Sequence, residues 1–246
     1  MLPQLKVEFI KMKRKKMFFT SYSLLLVTIF LVGVYIRFVH GSGLPRYSFD
    51  KFTDRCMSII SMELPFLSGM LLINQISCEY RHNTLKEILQ IPISMNRLLF
   101  IKVIANVLVL FIILVLLIPI VLVVAARAEL VNGIYFKTLM DVIVKILFLA
   151  ILTPVSLMPI IFITQFSKAN TVLVTGIQFI YTAIGLVGGQ RLAGIHPISS
   201  LLTILWGDSF IIESVVLPVA WTNIATVLIV FMLAIYLHNC ISKPNL

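Results

Sequence analysis

Apolar residues run almost without interruption at six places along the chain, near 18–39, 56–77, 98–126, 142–165, 171–189 and 218–238. About 20 residues at roughly 1.5 Å rise each cross a hydrocarbon layer. Each run is therefore expected to be a membrane-spanning helix. A membrane β-barrel would alternate apolar and polar residues in strands of about ten, and these runs do not alternate. The third run is longer than a span needs, which predicts tilt or an end emerging from the lipid. Pro154 and Pro159 fall in the fourth and predict a kink there. The first run is too long for a signal peptide and no small-residue cleavage site follows it, so it is expected to remain as a helix.

Two polar stretches keep a helical period. Ahead of the first run, Leu5, Phe9, Met12 and Lys16 fall on one helix face, with Lys6 and Lys13 on the flanks. That predicts an amphipathic elbow helix over 1–17 lying in the membrane interface. Between the second and third runs, Asn83 or Thr84 can cap a helix, with Glu87 placed as a capping-box partner of Thr84. Leu85, Ile88 and Leu89 form its apolar stripe, and Pro92 ends it. An apolar stripe on a short polar helix predicts docking against a partner or a lipid surface.

The chain is 60% hydrophobic and only 12% charged. Soluble domains are about half apolar and about a quarter charged, so composition also points to lipid as the solvent. The net charge is +10. Placing both termini in the cytosol puts most of the 20 Lys and Arg inside, including the Lys13–Lys16 cluster, with Glu8, Glu79 and Glu87 as the inner acids. That obeys the positive-inside rule. The excess charge then faces anionic headgroups, and nucleic acid is not expected as a partner. Cys56, Cys78 and Cys240 show no CxxC spacing and read as apolar filler, not as a metal site.

Glu79-Tyr80-Arg81, then Asn83-Thr84-Leu85, then Ile91-Pro92-Ile93-Ser94 resembles the loop between the second and third spans of ABC-2-type transporter permeases. That family's pattern often reads E-x-R-x-G-T-L, a few apolar residues, then P-[IV]-S. Asn83 stands where Gly is common, and Asn tolerates left-handed geometry almost as Gly does. The opening KVEFIKMKRKK is similar to the family's as well. The likeness covers the chain in length and span number, while its specific letters stop at Ser94.

The resemblance implies an all-α membrane protein with an interfacial N-terminal helix and six transmembrane helices, in the ABC-2, ABCG-like exporter architecture. The whole chain, 1–246, would be one transmembrane domain. The 79–97 loop would carry a coupling helix that inserts into a separate cytoplasmic ATPase, present in two copies. Glu79, Arg81, Thr84, Leu85, Glu87, Ile88 and Leu89 would make that contact. ATP and Mg would sit on the partner subunit, with no cofactor or metal in this chain. A second permease copy or a paralogue would complete the transporter in the bacterial plasma membrane. Residues 190–217 match the external or re-entrant segment of such permeases. Overall likeness, not a motif, points to the lantibiotic-immunity and peptide-export subgroup, hence to export of a small peptide, with drug, lipid or ion export as the alternative.

Polar stripes cross two spans. Ser61, Ser68 and Gln75 recur every seven residues in the second. Thr171, Thr175, Gln178 and Thr182 share a face of the fifth, continued by Gly185 and Gly189. Polar groups avoid lipid, so both stripes should meet protein or a cavity. Interhelical packing and a transport path or dimer seam both remain open. Glu63 lies inside the second span and is expected near the external interface, paired with Arg55 or Arg37. Asp141 and Lys145 are spaced for a local ion pair.

No G-x-x-x-x-G-K-[ST] phosphate loop, HExxH or nucleophile elbow occurs. The chain is therefore not expected to be an enzyme. A membrane-embedded protease would need facing Glu and His residues, and Glu63 has no such His. A secondary transporter would show repeated halves with matching broken helices, and only the fourth span is broken.

Overall fold

The computed structural model describes residues 2–14, 16–41, 48–81, 95–127, 136–166 and 170–206, with scattered helical positions between 222 and 236. Every described element is helical. Five stretches are long and apolar enough to cross a membrane: Phe19–Phe38, Phe49–Glu79, Arg97–Ala126, Phe136–Ile161 and Thr171–Gly188. The expected sixth span and the expected coupling helix lie outside the described residues, apart from the scattered positions in the sixth.

Helix α1 is Leu2–Arg14 and α2 is Met17–Gly41. Lys16 joins them with a left-handed φ of 54°. Such a residue stops one helix and redirects the next, and Lys16 O accepts the amide of Thr20 to start α2. Sequence periodicity puts Phe9 and Met12 of α1 in the lipid interface. They instead pack into the protein core, and Met12 is buried. Lys6, Val7 and Ile10 form the exposed side.

Helix α3, Phe49–Arg81, has 33 residues. It begins seven residues earlier than the expected span. Ser48 Oγ accepts the amide of Lys51, and Asp50 lies in the first turn. Helix α4 is Met95–Arg127. The fourth run is two helices, α5 (Phe136–Ser156) and α6 (Met158–Phe166), broken at Leu157. Pro159 has no N–H to give to the preceding turn, so the helix restarts there. The amides of Leu157 and Ile160 make three-residue turns to Pro154 O and Leu157 O instead.

Helix α7 is Thr171–Gly188, capped by the Asn170 side chain, which accepts the Leu173 amide. A 3-10 turn, Gly189–Leu192, follows, and Gly189 has φ 41°. Helix α8, Pro197–Trp206, then folds back against α3, α5 and α7 with most of its residues buried.

Helix α3 is the hub. It packs on α2, α4, α5, α6, α7 and α8. The larger apolar cluster joins Ile60, Leu64 and Leu71 of α3 to Val109, Ile113 and Leu117 of α4 and Leu149 of α5. Outward faces stay apolar, as at Phe30, Phe38, Val123, Val172 and Val187. In lipid that exposure carries no hydrophobic penalty, so close approach and hydrogen bonds must order the helices. Gly69 supplies one such approach. A Cβ there would lie 2.7 Å from Gln178 Cγ.

Gly69→Val is expected to push α7 off α3 and lower the thermal midpoint in detergent by several degrees. The same change at exposed Gly176, where a Cβ meets nothing within 4 Å, should be tolerated. Equal midpoints for the two variants would contradict the packing described.

Candidate functional site

Four charged side chains from three helices meet at the end of the bundle from which the 82–94 segment leaves. Lys102 Nζ, on α4, bonds Glu79 Oε1 of α3 at 2.8 Å and Glu8 Oε2 of α1 at 3.2 Å. Its third donor meets Gln75 O at 3.4 Å. An ammonium has three hydrogens, and all three are used. Lys11 Nζ closes the ring, at 2.8 Å from Glu8 Oε1 and 3.0 Å from Glu79 Oε1. Lys102 is 1% exposed and Glu79 3%.

Among the described residues, two carboxylates and two ammonium groups balance in charge. Bringing any one of them here alone would cost several kcal/mol of desolvation. Sequence reasoning counted Lys102 as one more inner basic residue. The missed signal is its position, inside an apolar run where an ionisable group must find a partner. Glu79, one of the expected ATPase-coupling residues, is buried here against Lys102 and Lys11. Arg81 ends α3, and Thr84, Leu85, Glu87, Ile88 and Leu89 lie outside the described residues.

Lys11 lies outside the spanning segments. Burial alone would lower its pKa, but hydrogen bonds and charge from Glu8 and Glu79 outweigh that and raise it above 10.5.

The stripe on α3 is consumed by packing. Asn106 Nδ2, one turn beyond Lys102, bonds both Ser68 O and Ser68 Oγ at 3.1 Å. Gln75 Nε2 meets the Met12 sulfur. Ser61 Oγ accepts Trp206 Nε1 at 3.1 Å. On α7, Gln178 Nε2 bonds Pro65 O at 3.1 Å and Thr182 Oγ1 at 3.2 Å. Ser61, Ser68, Gln75, Gln178 and Thr182 are all buried within this one chain. In this chain α1, α3, α4, α7 and α8 supply the partners of these five, which is the packing alternative for the stripes. Thr171 and Thr175 are half-buried, and the Thr175 hydroxyl donates to Thr171 O.

The opposite end carries a looser cluster. Lys145 Nζ lies 2.8 Å from Asp141, the expected pair, and 2.9 Å from Asp54. It also sits 4.3 Å over the Trp206 ring. Glu63 departs from expectation. Thr28 of α2 donates to it, at 2.9 and 3.0 Å from its two oxygens. Arg55 lies about 12 Å away along α3 and takes no part in that contact.

Residues 4–185, more than half the chain, match the model of the ABC-2 family transporter proteins. The chain belongs to the ABC-2 transporter family. No curated protein and no solved structure matches it. ABC-2 chains are membrane transport subunits, generally not catalytic, and the family works with an ATPase subunit. In this ABC-2 chain the ion cluster brackets the family's loop: Glu79 stands just before it and Lys102 just after.

Lys102→Met should leave Glu79 facing too little positive charge, at a cost of about 3–5 kcal/mol. Adding Glu79→Gln should recover much of that, because the Glu8–Lys11 pair survives. Thermal unfolding in detergent measures both, and a double variant as weak as the single would contradict the cluster's energetics. The Lys11 contact has a defined sign with pH. Its folded pKa is raised, so its contribution is complete below the ordinary lysine value and is lost as pH rises through the raised one. An environment-sensitive dye on Gln4→Cys should report loosening of α1 only at alkaline pH, and Lys11→Met should remove that step.

Proposed function

We propose that this chain is the permease subunit of a bacterial ABC exporter, working with two ATPase subunits and a second permease copy or paralogue. Membership of the ABC-2 family carries this reading. The termini are assigned to the cytosol because that places the Lys13–Lys16 cluster on the side that positive charge prefers. The sixth span is assigned to 218–238 on its apolar run. Helix α1 is read as the interfacial elbow, with Lys6, Val7 and Ile10 as its outer side.

Residues 84–90 form the coupling helix in this reading, offering Leu85, Ile88 and Leu89 to a groove on the ATPase. The segment leaves α3 beside Glu79 and enters α4 ahead of Lys102. A push on it is delivered to α1, α3 and α4 together, because the buried cluster makes their separation costly. Rigid-body rocking of helices about an interface is an established way to open and close a path. The substrate is an amphipathic molecule, first a small antimicrobial or toxin-like peptide as in the lantibiotic-immunity subgroup, and otherwise a drug, lipid or ion.

Leu85→Asp and Leu89→Asp should each abolish co-purification of the ATPase or its transport-linked turnover, since a carboxylate buried in the groove costs several kcal/mol. Insertion of the spans should be unaffected. Normal ATPase capture and turnover in both variants would remove the coupling assignment.

A further inference from the structure

Glu63 lies within the apolar helical stretch Phe49–Glu79. Along α3 it is about 21 Å from Phe49 and about 27 Å from Arg81. The expected ion pair with Arg55 or Arg37 is not formed; Thr28 is the partner. A carboxylate within a spanning helix is costly and marks function by default.

Its partners do not satisfy it. Thr28 has a single hydroxyl hydrogen, and Leu24 O, at 3.1 Å, competes for it. The carboxylate has room for about four hydrogen bonds. Thr28 therefore supplies at most one, and no Lys or Arg among the described residues bonds Glu63. It is half-buried, so part of it faces outward.

Few basic residues lie in the apolar stretches around it. No Lys or Arg occurs between Lys16 and Arg37, between Lys168 and Arg191, or between Arg191 and Lys243. Those stretches hold α2, α7 and the expected sixth span. Lys102 and Lys145 are committed at opposite ends.

An aromatic pair begins one helical turn from Glu63. Phe66, one turn on, shares its helix face, and the Phe66 ring lies 5.0 Å from that of Phe179 on α7. Phe179 and Met70 are exposed. A carboxylate one turn from an aromatic pair suits a positive centre on an apolar body.

We propose that Glu63, oriented by Thr28 and one helical turn from the Phe66–Phe179 pair, is the recognition point for the cationic group of an amphipathic organic cation, the class of molecule this subunit moves. The proposal rests on the transporter reading and narrows its substrate to positively charged amphiphiles, an amine-bearing peptide among them. Free inorganic cations are disfavoured, because the aromatic side chains offer them no oxygen ligands.

Tetraphenylphosphonium and tetraphenylborate test this, having one shape and opposite charge. Binding is measured on the full chain in neutral-lipid nanodiscs. Saturable binding of tetraphenylphosphonium alone is expected, with affinity reduced about tenfold in Glu63→Gln, the loss of one charge-assisted contact. Glu63→Asp should keep part of it. Phe66→Leu, which leaves the carboxylate intact, should weaken it as well. Undiminished binding in Glu63→Gln, equal binding of the borate, or displacement by excess sodium or magnesium chloride would each overturn the assignment. So would a change in dimer content without a change in binding, which would give Glu63 to a subunit contact. Capture of the ATPase should be the same in Glu63→Gln and wild type. A failed binding assay with intact capture therefore strikes only the substrate proposal, whereas lost capture in wild type strikes the transporter reading.

Discussion

A buried ammonium group must be surrounded by acceptors, and at Lys102 that requirement organises one whole end of the molecule. Its three hydrogens reach α1, through Glu8, and α3, through Glu79 and the Gln75 carbonyl. Lys11 then neutralises what remains of the two carboxylates. The orientation of α1 follows. Glu8 and Lys11 must face the bundle, and Met12, one turn from Glu8, is carried in with them. An apolar face that periodicity alone assigns to lipid is thereby bound to protein. Charge pairing decides the rotation of the helix, and apolar packing fills in around it.

The same logic runs along α3. Helices in lipid gain little from burying apolar surface against one another. What distinguishes correct neighbours is which polar groups find partners. Three polar side chains on α3 each select a different helix: Ser61 the Trp206 of α8, Ser68 the Asn106 of α4, Gln75 the Met12 of α1. The seven-residue spacing keeps these three on one side of α3, while Pro65 leaves its carbonyl to Gln178 of α7. Gly69 makes room for that contact. A helix so thoroughly bonded inside the protomer can move only with its neighbours.

Much of this was legible in the residues. Long apolar runs give the spanning helices directly, because lipid requires them to be helical and about 20 residues long. The break in the fourth run follows from Pro154 and Pro159. The loop letters from Glu79 to Ser94 point to the family that residues 4–185 match. Three things were not legible. The start of α3 is mixed in charge, with Asp50, Lys51, Asp54 and Arg55, so hydropathy hides seven helical residues. Burial of the Ser61 and Gln178 stripes depends on which helices neighbour α3, and a polar stripe reads the same whether it meets another helix or a cavity. The ion cluster joins Glu8 to Lys102, 94 positions apart, and no local pattern connects them.

The two ends of the bundle differ in what a rearrangement costs. At the α1 end the charges are buried, so separating them exposes each to a low-dielectric interior without its partner. At the other end, Asp54 and Asp141 have side chains 55% and 57% exposed. Water can replace either around Lys145, and exposed pairs of this kind contribute about 0–1 kcal/mol. The stacking of Lys145 on Trp206 adds about 0.5–2 kcal/mol. Any displacement of α1, α3 and α4 is therefore better conserved at the end where the 82–94 segment attaches. It is more easily absorbed at the end where α8 is held by Lys145 and by the Trp206–Ser61 hydrogen bond. Glu63 lies between the two, on the helix that both ends share.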